Sequence, residues 1–373
     1  MKTKITNDTM EEKFSKLVTN ESLTQQEAQT VAYRIFTALS NEEQDSLALV
    51  TAFFGALTIK KPSLEELIGT AKAMEKTKTV NFHFKVNKPI VTAGGTGGDT
   101  LHTINITTPA IITAASTGAC AVKSGSKSFS SKTGCIDVAE ALGVKVHLSP
   151  REVEACVETV GTVIWASENI YPWIHALIEA GSKPVTRQLF PLLYSLRLVI
   201  ATALNPFALK RQVRGVSEPF TDLVAKVLGA CSYERAFIVL GYGETEDIRI
   251  DEFSTLGRNI VSELKTNGDI ETFDVYPEDV GIKRGNAREI IARENHRENA
   301  EVVARVLAGK DNSSRRDIIL LNAAAILVLS DTCKDLRDGY ELAKQAIDDG
   351  RAFTKLEQLT QFSDSSQSRF RLN

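Results

Sequence analysis

The stretch TAGGTGGDTLHTINITTPA, Thr92 to Ala110, sets four glycines around Thr96, follows them with a single aspartate and closes on Thr-Thr-Pro. It comes directly after Lys88-Pro89-Ile90-Val91, which runs into Thr92 and Ala93 as a strand, and the residues after Thr107 can open a helix. Strand, glycine turn and helix in that order make the unit from which a parallel sheet covered by helices is built. Gly94, Gly95, Gly97 and Gly98 tolerate positive φ and let the backbone approach a ligand, so consecutive N–H groups can converge on an anion. Hydroxyls at Thr107 and Thr108 stand before Pro109, a residue suited to the first helical position, where free N–H groups and the positive dipole end also favour an anion. The chemistry suits a diphosphate. The spacing matches neither G-x-G-x-x-G nor G-x-x-x-x-G-K-[ST], which weakens dinucleotide and P-loop readings. A glycine-rich hairpin leading to a capped helix is the bland alternative for the glycines taken alone.

Downstream, CAVKSG (Cys120 to Gly125) is strand-like, and a helical run follows from Cys135. The strand end and the loop after it carry Lys123, Lys127, Lys132 and five serines, and the C-terminal edge of an open α/β sheet is where ligands bind. AFIVLG (Ala236 to Gly241) reads as another strand, followed by STLGRNIVSELK, read as helical. Beyond that strand lie Glu244, Glu246, Asp247, Asp251 and Glu252. Asp251 and Glu252 are singled out as Mg²⁺ ligands at the edge where the glycine loop also falls, against a solvated acidic loop as the alternative.

From Thr9 to Lys78 apolar residues recur three and four apart, predicting helices opened at Thr24 with Glu27, at Asn41 and at Ser63. The expected architecture is α/β with a smaller all-α N-terminal domain and a mostly parallel central sheet flanked by helices. Residues 1–85 form the helical domain, completed by about 171–200. Residues 86–170 and 201–360 form the α/β domain, and 361–373 are a polar tail. The expected active site lies in the cleft between the domains.

The whole chain limits the function classes. Its 373 residues carry a formal net charge of −3 with 24% charged and 43% hydrophobic residues, and no global basicity argues for nucleic acid. Five scattered cysteines without a C-x-x-C pair argue against a disulfide framework or a zinc site. The polar N-terminus and the absence of an apolar run of about 18 residues predict no membrane span and a cytoplasmic location. No G-x-S-x-G elbow or H-E-x-x-H pair points to a hydrolase.

Together GTGGD (Gly95 to Asp99), NITT (Asn105 to Thr108), SSKTGCIDVAEALG (Ser130 to Gly143) and DEFS (Asp251 to Ser254) resemble the anthranilate phosphoribosyltransferase family, over nearly the whole chain. The resemblance implies a type III phosphoribosyltransferase fold and transfer of 5-phosphoribose from phosphoribosyl pyrophosphate to an aromatic amine in tryptophan biosynthesis. By resemblance Gly95, Thr96, Gly97, Gly98, Asp99, Asn105, Thr108, Lys123 and Ser131 hold phosphoribosyl pyrophosphate. Thr107, Asp251 and Glu252 serve Mg²⁺. Gly95, Ser126 and Arg187 face the acceptor, and the helical domain forms a homodimer. The acceptor side departs from the family pattern. Lys123-Ser124-Gly125-Ser126 stands where K-H-G-N is usual, ATALNP (Ala201 to Pro206) where GPLTNP is usual, and Leu240-Gly241 where a H-G step precedes the acidic pair. The acceptor is therefore open. A nucleoside phosphorylase is one alternative, although its K-H-S-T-G-G signature is absent. A catalytically silent relative that binds nucleic acid or a protein partner is the other.

Overall fold

The computed structural model describes residues 7–125, 134–166, 170–182, 188 and 192–363. The contacts divide the chain into two compact units, one comprising Met1–Thr79, Glu168–Pro206 and Lys226–Ser232, the other Val80–Ser167, Phe207–Ala225 and Tyr233–Asn373.

The first unit is helical: α1 (Asn7–Val18), α2 (Gln25–Ser40), α3 (Ser46–Lys60) and α4 (Leu64–Glu75) are joined by α8 (Pro172–Ser182) and α9 (Tyr194–Ala203). Thr24 and Ser63 each form a reciprocal capping box, with Glu27 and Glu66, so two orphan donors are satisfied at each helix start. Asn41 does not open a helix. It C-caps α2, donating its N–H to the Thr37 and Leu39 carbonyls, and α3 begins five residues later behind Asp45. Glu66 is fully buried and accepts from the Leu23 N–H, the Ser63 N–H and Lys60 Nζ at 2.8 Å, which ties α4 to the segment before α2. Trp173 stacks on Phe36 with ring centroids 4.4 Å apart and donates to Thr77 Oγ1.

The second unit is built on one eight-stranded sheet: β1 (Ile90–Gly95), β2 (Cys120–Gly125), β3 (Thr162–Ala166), β4 (Arg211–Gly215), β5 (Arg235–Tyr242), β6 (Arg249–Ile250), β7 (Asn259–Leu264) and β8 (Ile270–Val275). The order is β3-β2-β1-β4-β5-β7-β8, with β6 paired to β5. The five strands from β3 to β5 are parallel, and β7 and β8 extend them antiparallel. The segment Ser254–Lys265, expected as helix, thus contains a strand. Ile260 and Val261 are β-branched, and a turn at Gly268 folds β8 back on β7, so the ladder decides against the helical spacing. Helices α5 (Thr107–Ser116), α6 (Cys135–Ala141), α7 (Pro150–Val160), α11 (His296–Leu307), α12 (Ser314–Leu329), α13 (Leu336–Asp348) and α14 (Arg351–Ser363) belong to this unit, while α10 (Thr221–Ala230) runs across the division. Arg316 and every residue of α12 from Ile318 to Leu329 are buried, because the helix packs on β1, β4 and β5 and against α5 and α13. A helix apolar on all sides needs such a setting.

Candidate active site

Five parallel strands end on one edge, and the glycine loop leaves that edge from β1. Gly97 and Gly98 have φ of 76° and 89°, the left-handed region in which a side chain is strained. The Thr96 N–H bonds the Gly215 carbonyl at 3.1 Å and the Gly97 N–H bonds Asp251 Oδ2 at 2.6 Å. Two of the amides expected to face a diphosphate are thus spent on holding the loop. The Gly98 and Asp99 amides donate to no described residue.

Asp251 reaches the loop because two glycines leave it room. A Cβ on Gly95 would lie 2.0 Å from Asp251 Oδ2, and one on Gly215 would lie 1.4 Å from the Asp251 carbonyl oxygen. Gly95 and Gly215 are register partners on β1 and β4, so the acidic residue sits over one face of the sheet at its edge. Its neighbours fix it there. Asn322 on α12 accepts the Phe253 N–H and donates to the Phe253 carbonyl, while Asn259 accepts the Ser254 N–H and donates to its carbonyl.

Thr107 Oγ1 donates to Glu252 Oε1 at 3.1 Å, so the three residues expected to serve a metal come together. Burial, then the Asp251 and Asp99 carboxylates, push the Glu252 carboxyl well above the usual carboxylate range, with a hydrogen bond to Asp251 adding to the rise and Lys123 opposing it. Asp99 is raised too, first by burial and then by Asp251, while the Thr103 N–H at 2.8 Å pulls the other way. Asp99 is thus a third acid of the cluster, which its place in the glycine loop did not reveal. Crowded, desolvated carboxylates of this kind suit a hard divalent cation, which relieves both costs. Among the described residues no group of three or more acidic, histidine or cysteine side chains has the geometry of a metal cage. Mg²⁺ commonly takes one or two carboxylates and completes its shell from substrate phosphates and water, so this donor set fits it.

Helix α5 begins at Thr107, two residues before Pro109, which therefore sits within the first turn rather than opening it. Asn105 Oδ1 accepts the Thr108 N–H at 3.3 Å in place of a conventional cap. The Thr108 hydroxyl is buried with no hydrogen-bond partner among the described residues. A cavity of about 10 Å³, room for about one water, lies under the edge between Gly94, Thr107, Glu252 and Asn322. Lys123, near the end of β2, is 6% exposed, and its ammonium has no hydrogen bond or ion pair with a described residue. Ser126, Ser131 and Arg187, together with Lys127 and Lys132, lie outside the described residues. Leu240 is fully buried on β5 beside Ile260 of β7 and belongs to the core.

Comparison with known proteins bears on what this edge does. The family model described as "Glycosyl transferase family, a/b domain" matches residues 87–353. The anthranilate phosphoribosyltransferase of Desulfosudis oleivorans is 34% identical over 355 residues, covering 95% of this chain and 98% of that protein. That of Symbiobacterium thermophilum is 36% identical over 318 residues, covering 85% and 88%. Among solved structures, the Thermus thermophilus anthranilate phosphoribosyltransferase superposes with a TM-score of 0.75 at 26% identity, covering 94% of this chain and 98% of that one. The Saccharomyces cerevisiae enzyme in complex with PRPP and Mg gives a TM-score of 0.79 at 23% identity over 96% and 98%, a likeness of fold. No helix among the described residues is long and apolar enough to cross a membrane.

Proposed function

Because the chain belongs to the anthranilate phosphoribosyltransferase family, we propose that it transfers 5-phosphoribose from phosphoribosyl pyrophosphate to the amino group of anthranilate, a step of tryptophan biosynthesis. The observation that carries this reading is the glycine cradle: Gly95 and Gly215 leave space for Asp251, which binds the Gly97 amide and stands beside Glu252. A backbone with that clearance brings an anion-binding loop and a pair of metal-binding carboxylates to one sheet edge.

In the reaction the ribose C1–O bond breaks, the diphosphate leaves with the bonding pair, and the aromatic nitrogen forms the new C1–N bond and then releases its proton. Positive charge develops on the ribose and negative charge on the leaving group. The Gly98 and Asp99 amides are placed to receive diphosphate oxygens, and Lys123 offers a desolvated cation to the same charge. Thr108 has a buried hydroxyl still to be satisfied, which suits a phosphate oxygen. Asp251 and Glu252, with Thr107 supporting Glu252, would hold Mg²⁺, which would supply positive charge to offset the negative charge of the leaving diphosphate. Ser131 on the donor side and Gly95, Ser126 and Arg187 on the acceptor side are assigned by resemblance. No general base is needed, because an aromatic amine sheds its proton readily once the C–N bond has formed. The enzyme is proposed to act in the cytoplasm as a homodimer.

The test is the rate of pyrophosphate release from phosphoribosyl pyrophosphate with Mg²⁺ and anthranilate. We expect release that depends on the amine and stops on adding a chelator. No pyrophosphate release with anthranilate, together with release of free base from a nucleoside in the presence of inorganic phosphate, would replace this reading by phosphorolysis.

A further inference from the structure

The Gly98 and Asp99 amides, placed to receive diphosphate oxygens, lie between two ties to the segment that carries Asp251 and Glu252. On one side the Gly97 N–H bonds Asp251 Oδ2 at 2.6 Å. On the other, Thr100 meets Arg249 in both directions. Its N–H donates to the Arg249 carbonyl at 2.9 Å, and its Oγ1 accepts the Arg249 N–H at 2.9 Å. The same hydroxyl donates to the Asp247 carbonyl at 3.3 Å. One threonine thus joins the glycine loop to β6, whose last residue, Ile250, directly precedes Asp251.

Strand β6 is itself fixed. It pairs with Gly241 and Tyr242 of β5, and the Gly243 N–H closes the intervening loop on the Ile248 carbonyl at 2.8 Å. Arg249 Nη1 donates to Glu218 Oε2 at 2.8 Å, in the loop that follows β4. Beyond Thr100 the chain is held by other partners: the Ala292 N–H donates to the His102 carbonyl at 2.9 Å and the Ile104 N–H to the Ile290 carbonyl at 2.8 Å. The place of the two amides relative to the acids therefore depends on the ties at Gly97 and Thr100. These differ in kind. The Gly97 tie uses the carboxylate that would take the metal, whereas the Thr100 tie uses main-chain groups and a hydroxyl with no part in holding the cation.

Resting on the phosphoribosyl-transfer reading, we propose that Thr100 is a positioning residue for the donor. By clasping β6 it sets the distance between the diphosphate-binding amides of Gly98 and Asp99 and the metal-binding carboxylates of Asp251 and Glu252. Donors held in place need no rearrangement when the diphosphate arrives, whereas a loop released at one end must be ordered again by its ligand. The effect falls on the donor and spares the acceptor.

The test titrates phosphoribosyl pyrophosphate with Mg²⁺ into wild type, Thr100→Val and Thr100→Ser by calorimetry, and measures KM for both reactants in the pyrophosphate-release assay. Valine keeps the shape and the main-chain bond but loses the hydroxyl, which serine retains. Thr100→Val should weaken donor binding on the order of tenfold and raise the KM for phosphoribosyl pyrophosphate in step. The KM for anthranilate at saturating donor and the denaturation midpoint should not change, because Thr100 is exposed and the core is untouched. Thr100→Ser should restore wild-type binding. Arg249→Met removes the ion pair with Glu218 but keeps the main-chain groups that Thr100 bonds, so it should weaken donor binding less, about two- to fivefold, and it is the second probe should the valine variant not fold. Unchanged donor affinity in these variants, a loss that serine does not restore, or equal losses for donor and anthranilate would overturn the proposal. A wild type that binds no phosphoribosyl pyrophosphate overturns the reading on which it rests, and the proposal with it.

Discussion

Single residues decide the clearance at the sheet edge. Gly215→Ala would drive a methyl group into the Asp251 carbonyl, and Gly95→Ala would do the same to its carboxylate. Backbone cannot yield as a flexible side chain can, so Asp251 must move by an ångström or more. Displacement of that size costs about 100-fold in rate, and each variant should lose about that much kcat/KM in the pyrophosphate-release assay. Gly55 provides the contrast: on α3 a Cβ there meets nothing within 4 Å, and Gly55→Ala should raise stability to denaturant by about 0.5–1 kcal/mol with activity unchanged. The glycines of the loop were legible in the sequence because four so close together have few uses. Gly215 and Arg214 were not. In KRQVRGV the arginine reads as the solvent side of an alternating strand, and only its partner Gly94 on the neighbouring strand shows that it is buried.

Among elements, the segment that carries Asp251 and Glu252 is held from α12. Asn322→Ala would strand the Phe253 N–H and carbonyl in a buried setting, a cost of about 1–3 kcal/mol for each group left unsatisfied. Denaturant unfolding should show the loss, and the Mg²⁺ concentration for half-maximal activity should rise, because the pair is no longer fixed. At the start of α7, Glu152 accepts the Ser149 N–H at 2.7 Å and Lys145 Nζ at 3.1 Å, and chiefly the first of these holds its carboxyl down to about 2, from an ordinary 4.5. A carboxyl lowered by folding stabilises the protein above its unfolded value, and the gain disappears as pH falls from about 4.5 towards 2. Thermal melts of Glu152→Gln should therefore lie below wild type at pH 7 and draw level with it as the pH drops through that window. Capping boxes such as those at Thr24 and Ser63 are local and could be read from four residues. The strand at Asn259 could not, because its ladder partners lie on other strands and helical spacing is cheap to match by chance in a short run.

For the whole molecule, the alternation of strands and helices was enough to expect a mostly parallel sheet beside a helical N-terminal unit, since composition and periodicity average over many residues. The two antiparallel strands that finish the sheet escaped, as did the gathering of Asp99 with Asp251 and Glu252 across about 150 positions of chain. The central claim is that the glycine loop and this acidic pair form one site for a metal-bound donor. It is tested most directly by titration calorimetry of phosphoribosyl pyrophosphate with Mg²⁺ into wild type and into the Asp251→Asn, Glu252→Gln double variant. Neutral amides are poorer ligands for a hard cation, so the account predicts binding to wild type that weakens at least about tenfold in a folded double variant. Equal affinity in the two proteins, or no binding by wild type, would contradict it.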